Sequence, residues 1–304
     1  MPEKATPDKE RPDVYDQGRR QSQHTERTRK RKAEEAFTRK EFNKKAIADT
    51  MTMCERLQKL FGKPARCHVY LLPATDPIYK SQRRTGLQHP ATEIYAGDCV
   101  CCAQEIIKQP GAKVWILNMV CATRPGGGAR SGANAQEEHL CRCSNLLPQL
   151  EAAETKHFPL HKARVNGIDF KVLAHPQVVF FKRASDYTVL PPKDWFRTGV
   201  LTAAAENTSK THHSVGPNAA RFIDYLLDVV NHQDCSHVIL SAWGCGAFRQ
   251  SPLEVATYFK QSLARFDERS FPKVIFAITD DHNNRPPGNL STFANVFTNS
   301  ARAT

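Results

Sequence analysis

Hydrophobic and polar positions divide the chain near residue 62. From Ala33 to Phe61 helix formers dominate, and apolar side chains recur at Phe37, Phe42, Ala46, Met53, Leu57 and Leu60. That is one apolar stripe, suited to packing against the domain that follows. Gly62 and Pro64 then supply a stop signal. Beyond them short β-rich runs alternate with helical ones. Cys67–Leu72, Lys113–Val120, Phe170–Ala174, Gln177–Phe181, Arg197–Ala205, His237–Ala242 and Lys273–Thr279 read as strands. Helices are expected after Asp98 as N-cap, over Ala135–Leu150, over Asn218–Asn231 with Pro217 near N1, over Leu253–Phe266 and over Leu290–Asn299. Strands alternating with helices of this length predict an α/β fold with a central, mostly parallel sheet covered on both faces.

Charge adds a polar appendage to this picture. Residues 1–32 are rich in Pro, Gln, Arg and Asp without periodicity and are expected to form a disordered basic tail. Residues 33–63 form an accessory helix and residues 64–304 one globular domain. Across the 304 residues Lys and Arg number 43 and Asp and Glu 31, a net charge of +12, of which the first 45 residues carry +5. Such a surplus favours a polyanionic partner. The run Arg27, Arg29, Lys30, Arg31, Lys32 fits a nuclear-import signal, a weak nucleic-acid contact or a solvated tail with no reader. No apolar run approaches the length of a membrane span and no secretory signal is evident, so the reading is of an intracellular protein, cytoplasmic or nuclear. The ten cysteines lack the paired C-x-x-C spacing of zinc knuckles, and free thiols are expected, with no metal and no cofactor.

Two glycine-rich turns each follow a buried strand. The first contains Gly126, Gly127, Gly128 and, further on, Gln136, Glu137 and Glu138; the second is Gly244-Cys245-Gly246-Ala247-Phe248. In an open α/β sheet both turns fall at the carboxyl edge, where ligands bind. Successive N–H groups in such turns can cradle phosphate oxygens, so two of them suit a diphosphate. Asn134 and Glu137 have capping-box spacing, which leaves Glu138 without a local duty. Glu138 is either a solvated acid or, given the glycines beside it, a catalytic one. As an acid it would need burial and a bound diphosphate to favour its protonated form over the helix dipole.

The spacing Gly126-Gly127-Gly128, seven residues, Gln136-Glu137-Glu138 resembles the signature of the poly(ADP-ribose) glycohydrolases. Ile116–Ser144, Val238–Phe248 and Phe276–Ile278 resemble the microbial type. The resemblance implies a macrodomain-like three-layer α/β/α sandwich with a central mixed, mostly parallel sheet and an N-terminal helical extension. It implies Glu138 as catalytic acid and Glu137 as holder of the ribose hydroxyls, with Gln136 supporting the acidic loop. Gly126–Gly128 would approach the ribose and diphosphate, and Gly244, Cys245, Gly246 and Ala247 would wrap the diphosphate with Phe248 on the distal ribose. Asn118 would contact a ribose and Asp98 would read the adenine. Arg124 and Arg130, beside the glycines, depart from the pattern. The implied partners are poly(ADP-ribose) or ADP-ribosylated proteins, met by a monomer. The rival readings are an ADP-ribose-binding module without hydrolysis, a hydrolase of single ADP-ribose units, and a nucleic-acid binder.

Overall fold

The computed structural model describes residues 14–63, 66–73, 90–165, 167–267, 270–279 and 286–298. Eight strands form one sheet: β1 (His68–Leu72), β2 (Thr92–Ala96), β3 (Val114–Met119), β4 (His161–Arg164), β5 (Gly167–Phe180), β6 (Phe196–Ala203), β7 (His237–Leu240) and β8 (Lys273–Ile278). Their order is β1-β5-β6-β3-β7-β8-β2, with β4 on β5. From β6 to β2 neighbours run parallel, while β1, β4 and β6 pair antiparallel with β5. The sheet is therefore mixed, with a parallel half.

Strand alternation divides the interior into two cores. In β3, Trp115 and Leu117 face one core, and Val114 and Ile116 the other. The first core is closed by α5 (Ala219–Asn231), α6 (Pro252–Leu263) and α7 (Asn289–Thr298) through Phe222, Leu226, Phe259 and Phe293. The second is closed by α1 (Val14–Phe61), α2 (Cys99–Ile106), α3 (Gln136–Cys143) and α4 (Leu146–His157) through Ile47, Val100, Leu140 and Leu147. Burial on both faces explains why these strands read as unbroken apolar runs.

Several boundaries differ from expectation for local reasons. The single helix over Ala135–Leu150 is two, because Pro148 has no N–H and its ring would clash with the carbonyl of residue 144 in a continuous helix. Ser144 is extended there; its hydroxyl donates to Leu140 O (2.7 Å) and accepts from Leu146 N–H (3.2 Å), closing one helix and opening the next. The two strands around Pro176 are one, β5, with a shift of register between His175 and Val178 that accommodates the missing donor. Pro217 precedes the N-cap Asn218 rather than following it. The edge strands β2 and β4 went unread, since neither carries an apolar run.

α1 begins at Val14, so residues 14–32, expected to be disordered, continue the accessory helix. Residues 1–13 of the expected tail lie outside the described residues. Gln, Arg, Glu and Lys sustain a helix through propensity without needing an apolar face. The C-terminal half of α1 is tied to the domain. Asn43 Nδ2 donates to Gly132 O (3.2 Å), Thr50 Oγ1 to Arg142 O (2.7 Å), and the fully buried Lys182 ammonium meets Asp49 (2.6 Å) and Ala46 O (3.0 Å). Among the described residues, no helix is long and apolar enough to cross a membrane.

Asp49 is the half of that pair that reaches solvent, so removing it strands a buried cation. Asp49→Ala is expected to cost about 2–3 kcal/mol, and Lys182→Met in the same chain to restore most of it. Chemical unfolding of the parent and the two variants checks this; equal stability of Asp49→Ala and the parent would contradict it.

Candidate active site

A cleft of about 540 Å³ opens where the parallel strands end. Met119 ends β3 and Val120 and Cys121 follow it, Ser241–Gly244 and Gly246–Phe248 follow β7, Ala277–Thr279 close β8, and Gly97 and Asp98 follow β2. The N-terminal turn of α3 supplies Gln136 through His139. Carboxyl ends of parallel strands meeting a helix N-terminus make a pre-formed ligand edge.

Gln136 fastens this helix to the sheet. Its amide donates to Leu117 O (2.6 Å) and accepts from Met119 N–H (2.8 Å), extending the end of β3 by one side chain. The two following acids are almost wholly buried, Glu137 at 2% and Glu138 at 7% exposure. Glu138 accepts Gly128 N–H on Oε1 (2.8 Å) and Ala135 N–H on Oε2 (3.0 Å). The N-cap is therefore Ala135 and the capping acid Glu138, in place of the expected Asn134 and Glu137. Glu137 Oε2 accepts Cys121 N–H (3.0 Å), and its Oε1 is buried without a partner among the described residues. Burial pushes the Glu137 carboxyl up to about 8, against the pull of the Cys121 amide and with the help of neighbouring Glu138.

The triple glycine holds these acids. Gly126 and Gly127 have φ of +69° and +54°, conformations costly for other residues. A Cβ on Gly127 would lie 2.5 Å from Glu138 Oε1 and 2.9 Å from Glu137 Oε2, so the two carboxyls share one glycine surface. Two of its amides are already used: Gly127 N–H donates to Arg124 O and Gly128 N–H to Glu138. Gly126–Gly128 lie outside the residues lining the cleft, behind the acids. The turn cradles the two carboxyls.

The second turn differs. Among the described residues, the N–H groups of Gly246, Ala247 and Phe248 have no hydrogen-bond acceptor, and all three residues line the cleft opposite α3. Gly244 lines it too, while Cys245 is buried behind, its thiol donating to Trp243 O (3.8 Å). Asn118 is fully buried below the floor, where Nδ2 donates to Thr202 Oγ1 (3.3 Å). Arg130 is taken up by Glu151 through two bonds of 2.8 and 2.9 Å.

Asp98 reaches the far wall of the cleft but is occupied. Its Oδ1 accepts Val100 N–H (2.8 Å) and Cys101 N–H (3.2 Å), confirming the N-cap, and its Oδ2 lies 3.1 Å from His139 Nε2. His139 Nδ1 lies 2.9 Å from the Tyr187 hydroxyl. Burial disfavours charge on His139, yet the Cys143 thiol and Asp98 outweigh it and hold the imidazole well above its ordinary value. His139, Tyr187 and Arg39 line the cleft and were missed. His139 adjoins Glu138 and could have been suspected; Tyr187 and Arg39 arrive from remote segments with no local signal. Among the described residues no group of three or more His, Cys, Asp or Glu is placed to hold a metal ion.

A three-layer α/β/α sandwich whose cleft is floored by two adjacent buried carboxyls defines a macrodomain-like hydrolase. Residues 22–183 match the family "Microbial-type PARG, catalytic domain", PARG being poly(ADP-ribose) glycohydrolase, and the chain belongs to that family. No curated protein matches the sequence. The fold is similar to poly(ADP-ribose) glycohydrolase from Thermomonospora curvata bound to the inhibitor ADP-HPD, at 23% identity and a TM-score of 0.64, covering 84% of this chain and 99% of that one. It is also similar to the enzyme from Deinococcus radiodurans in complex with ADP-ribose, at 26% identity and a TM-score of 0.56, covering 76% and 94%.

The raised Glu137 carboxyl has a thermodynamic signature. Between about 4.5 and 8 the native state binds a proton that the unfolded chain has released, so Glu137 makes stability fall as pH rises through that window. His139, also raised, contributes with the same sign at higher pH. Glu137→Gln is expected to flatten the loss of melting temperature between pH 5 and pH 8 and to leave the variant more stable than the parent at pH 8. An unchanged slope in calorimetric scans would contradict the assignment.

Proposed function

We propose that the chain hydrolyses the ribose–ribose O-glycosidic bond of poly(ADP-ribose), with Glu138 as general acid and then general base. The observation that carries the residue roles is the buried carboxyl pair facing an uncommitted row of amides across one cleft. The N–H groups of Gly246, Ala247 and Phe248 take the pyrophosphate. That docks the adjoining ribose against α3, where the unpartnered Glu137 Oε1 accepts a ribose hydroxyl.

With Glu137 pushed up to about 8, the pair holds a proton at neutral pH. Glu138 gives this proton to the departing ribose oxygen as the C–O bond breaks. An oxocarbenium-like centre forms at the anomeric carbon. Water attacks that centre, and its proton returns to Glu138, releasing ADP-ribose. Two-carboxylate glycosidases divide acid and nucleophile between opposite faces of the sugar; here both carboxyls rest on the same glycine and stand on one side.

In this reading Gly126–Gly128 act through the acids rather than on the substrate, and Asp98 positions α2 and His139 at the adenine end of the cleft. Two acids buried at a cost beside a binding cleft argue against a module that only binds ADP-ribose.

Glu138→Gln keeps the shape and one of the two acceptor oxygens but removes the proton. Turnover of labelled polymer is expected to fall by about 10²–10⁴-fold while ADP-ribose binding, by calorimetry, stays within a few-fold. Retained turnover would remove Glu138 from its role. Gly127→Ala, which drives a methyl group into both carboxyls, is expected to lose turnover comparably with Glu137 and Glu138 unaltered; full activity there would contradict the carboxylate cradle.

A further inference from the structure

The basic run at 27–32 has no part in the chemistry so far, yet the helix that bears it leads into the cleft. Arg39 of α1 lines the cleft wall. Phe42, 40% exposed, stacks on Tyr187 at 5.9 Å between centroids and 30° between planes, and Tyr187 lines the same wall. The Arg39 guanidinium sits 5.7 Å from the Phe42 centroid. Thr38, Glu35 and Arg31 continue the stripe at three- and four-residue spacing. Arg29, Arg31 and Lys32 are exposed. From residue 27 to 42 there are seven basic and three acidic side chains. The one acid paired in the stripe, Glu35, meets Arg31 at 3.4 Å in an exposed contact, weak enough to yield to a phosphate.

From Phe42 back to Arg31 the helix rises about 16 Å, at roughly 1.5 Å per residue. It therefore carries a track of cations out from the cleft mouth, with an aromatic and a guanidinium plane where the track meets the cleft. Basic tracks punctuated by π-faces are how proteins hold flexible nucleotide polymers without reading sequence. We propose that this face of α1 is a second binding site for poly(ADP-ribose), holding the tract beyond the scissile unit. The pyrophosphates of that tract meet Arg31 and Lys32, and a base stacks at Arg39 and Phe42. The proposal rests on the hydrolase reading above. The polymer is preferred to a nucleic acid because the track is continuous with the cleft, so a strand held on α1 is delivered to the acids.

The test compares the full chain with the variant Arg31→Gln, Lys32→Gln on long poly(ADP-ribose) and on its two-unit fragment, at several salt concentrations. For long polymer the variant is expected to raise KM about tenfold, with kcat unchanged, and to make log KM depend less steeply on log salt by about 1.4. Hydrolysis of the two-unit fragment, too short to extend along α1 to Arg31 and Lys32, is expected to be unchanged. An unaltered KM for long polymer would overturn the proposal. So would a single-stranded DNA of matched charge that competes for the unaltered chain as well as the polymer does, because the track would then be a nucleic-acid surface. Failure of the unaltered chain to cleave either substrate would show itself in the control, and would take down the hydrolase reading together with this one.

Discussion

Everything at the site depends on backbone N–H groups captured by two carboxylates. Glu138 joins the glycine turn, through Gly128, to the N-cap of its own helix, through Ala135. Glu137 joins the same helix to the strand end, through Cys121. Charge-assisted bonds of this kind are short and directional, and they fix a side chain that would otherwise turn to water. Burial of two acids is tolerable only because these donors offset it, and the offset is uneven. One oxygen of Glu137 has no partner among the described residues, and that carboxyl retains its proton to about pH 8. The same constraint that orders the pair thus keeps a proton stored within it.

The N-terminal helix belongs to this arrangement. Lys40 O approaches Gly132 so closely that a Cβ there would lie 2.4 Å away, and Asn43 binds the carbonyl of the same glycine. Gly132 lies between the triple glycine and the acids. Behind it the buried Arg142 donates to Ala133 O (2.7 Å) and to Asn134 Oδ1 (3.1 Å). The acid-bearing loop is therefore gripped from both sides, by α1 and by the last turn of α3. A helix that reads as an appendage in one dimension is a wall of the site in three.

Long-period features were legible in the sequence, and short or relayed ones were not. Buried strands such as β3 and β8 announce themselves by unbroken apolar runs. The polar edge strand β4, His161–Arg164, has nothing to announce. Glu137, Glu138 and Gln136 were found because glycines and acids close together in sequence are close in space. Their duties were harder: which acid caps the helix depends on a one-residue choice of N-cap, and the two glycine turns look alike although one has spent its amides and the other has not. That distinction requires knowing where each N–H points. Tyr187, with φ of +58°, and Arg39 reach the cleft through the fold alone.

The most direct measurement is a crystal structure of this chain with ADP-ribose in the cleft. The account predicts the pyrophosphate on the amides of Gly246–Phe248, a hydroxyl of the terminal ribose on Glu137 Oε1, and Glu138 still held by Gly128 and Ala135 with its carboxyl beside the anomeric carbon. A ligand bound the other way round, with its adenine against the two acids and its terminal ribose near Asp98, would contradict it.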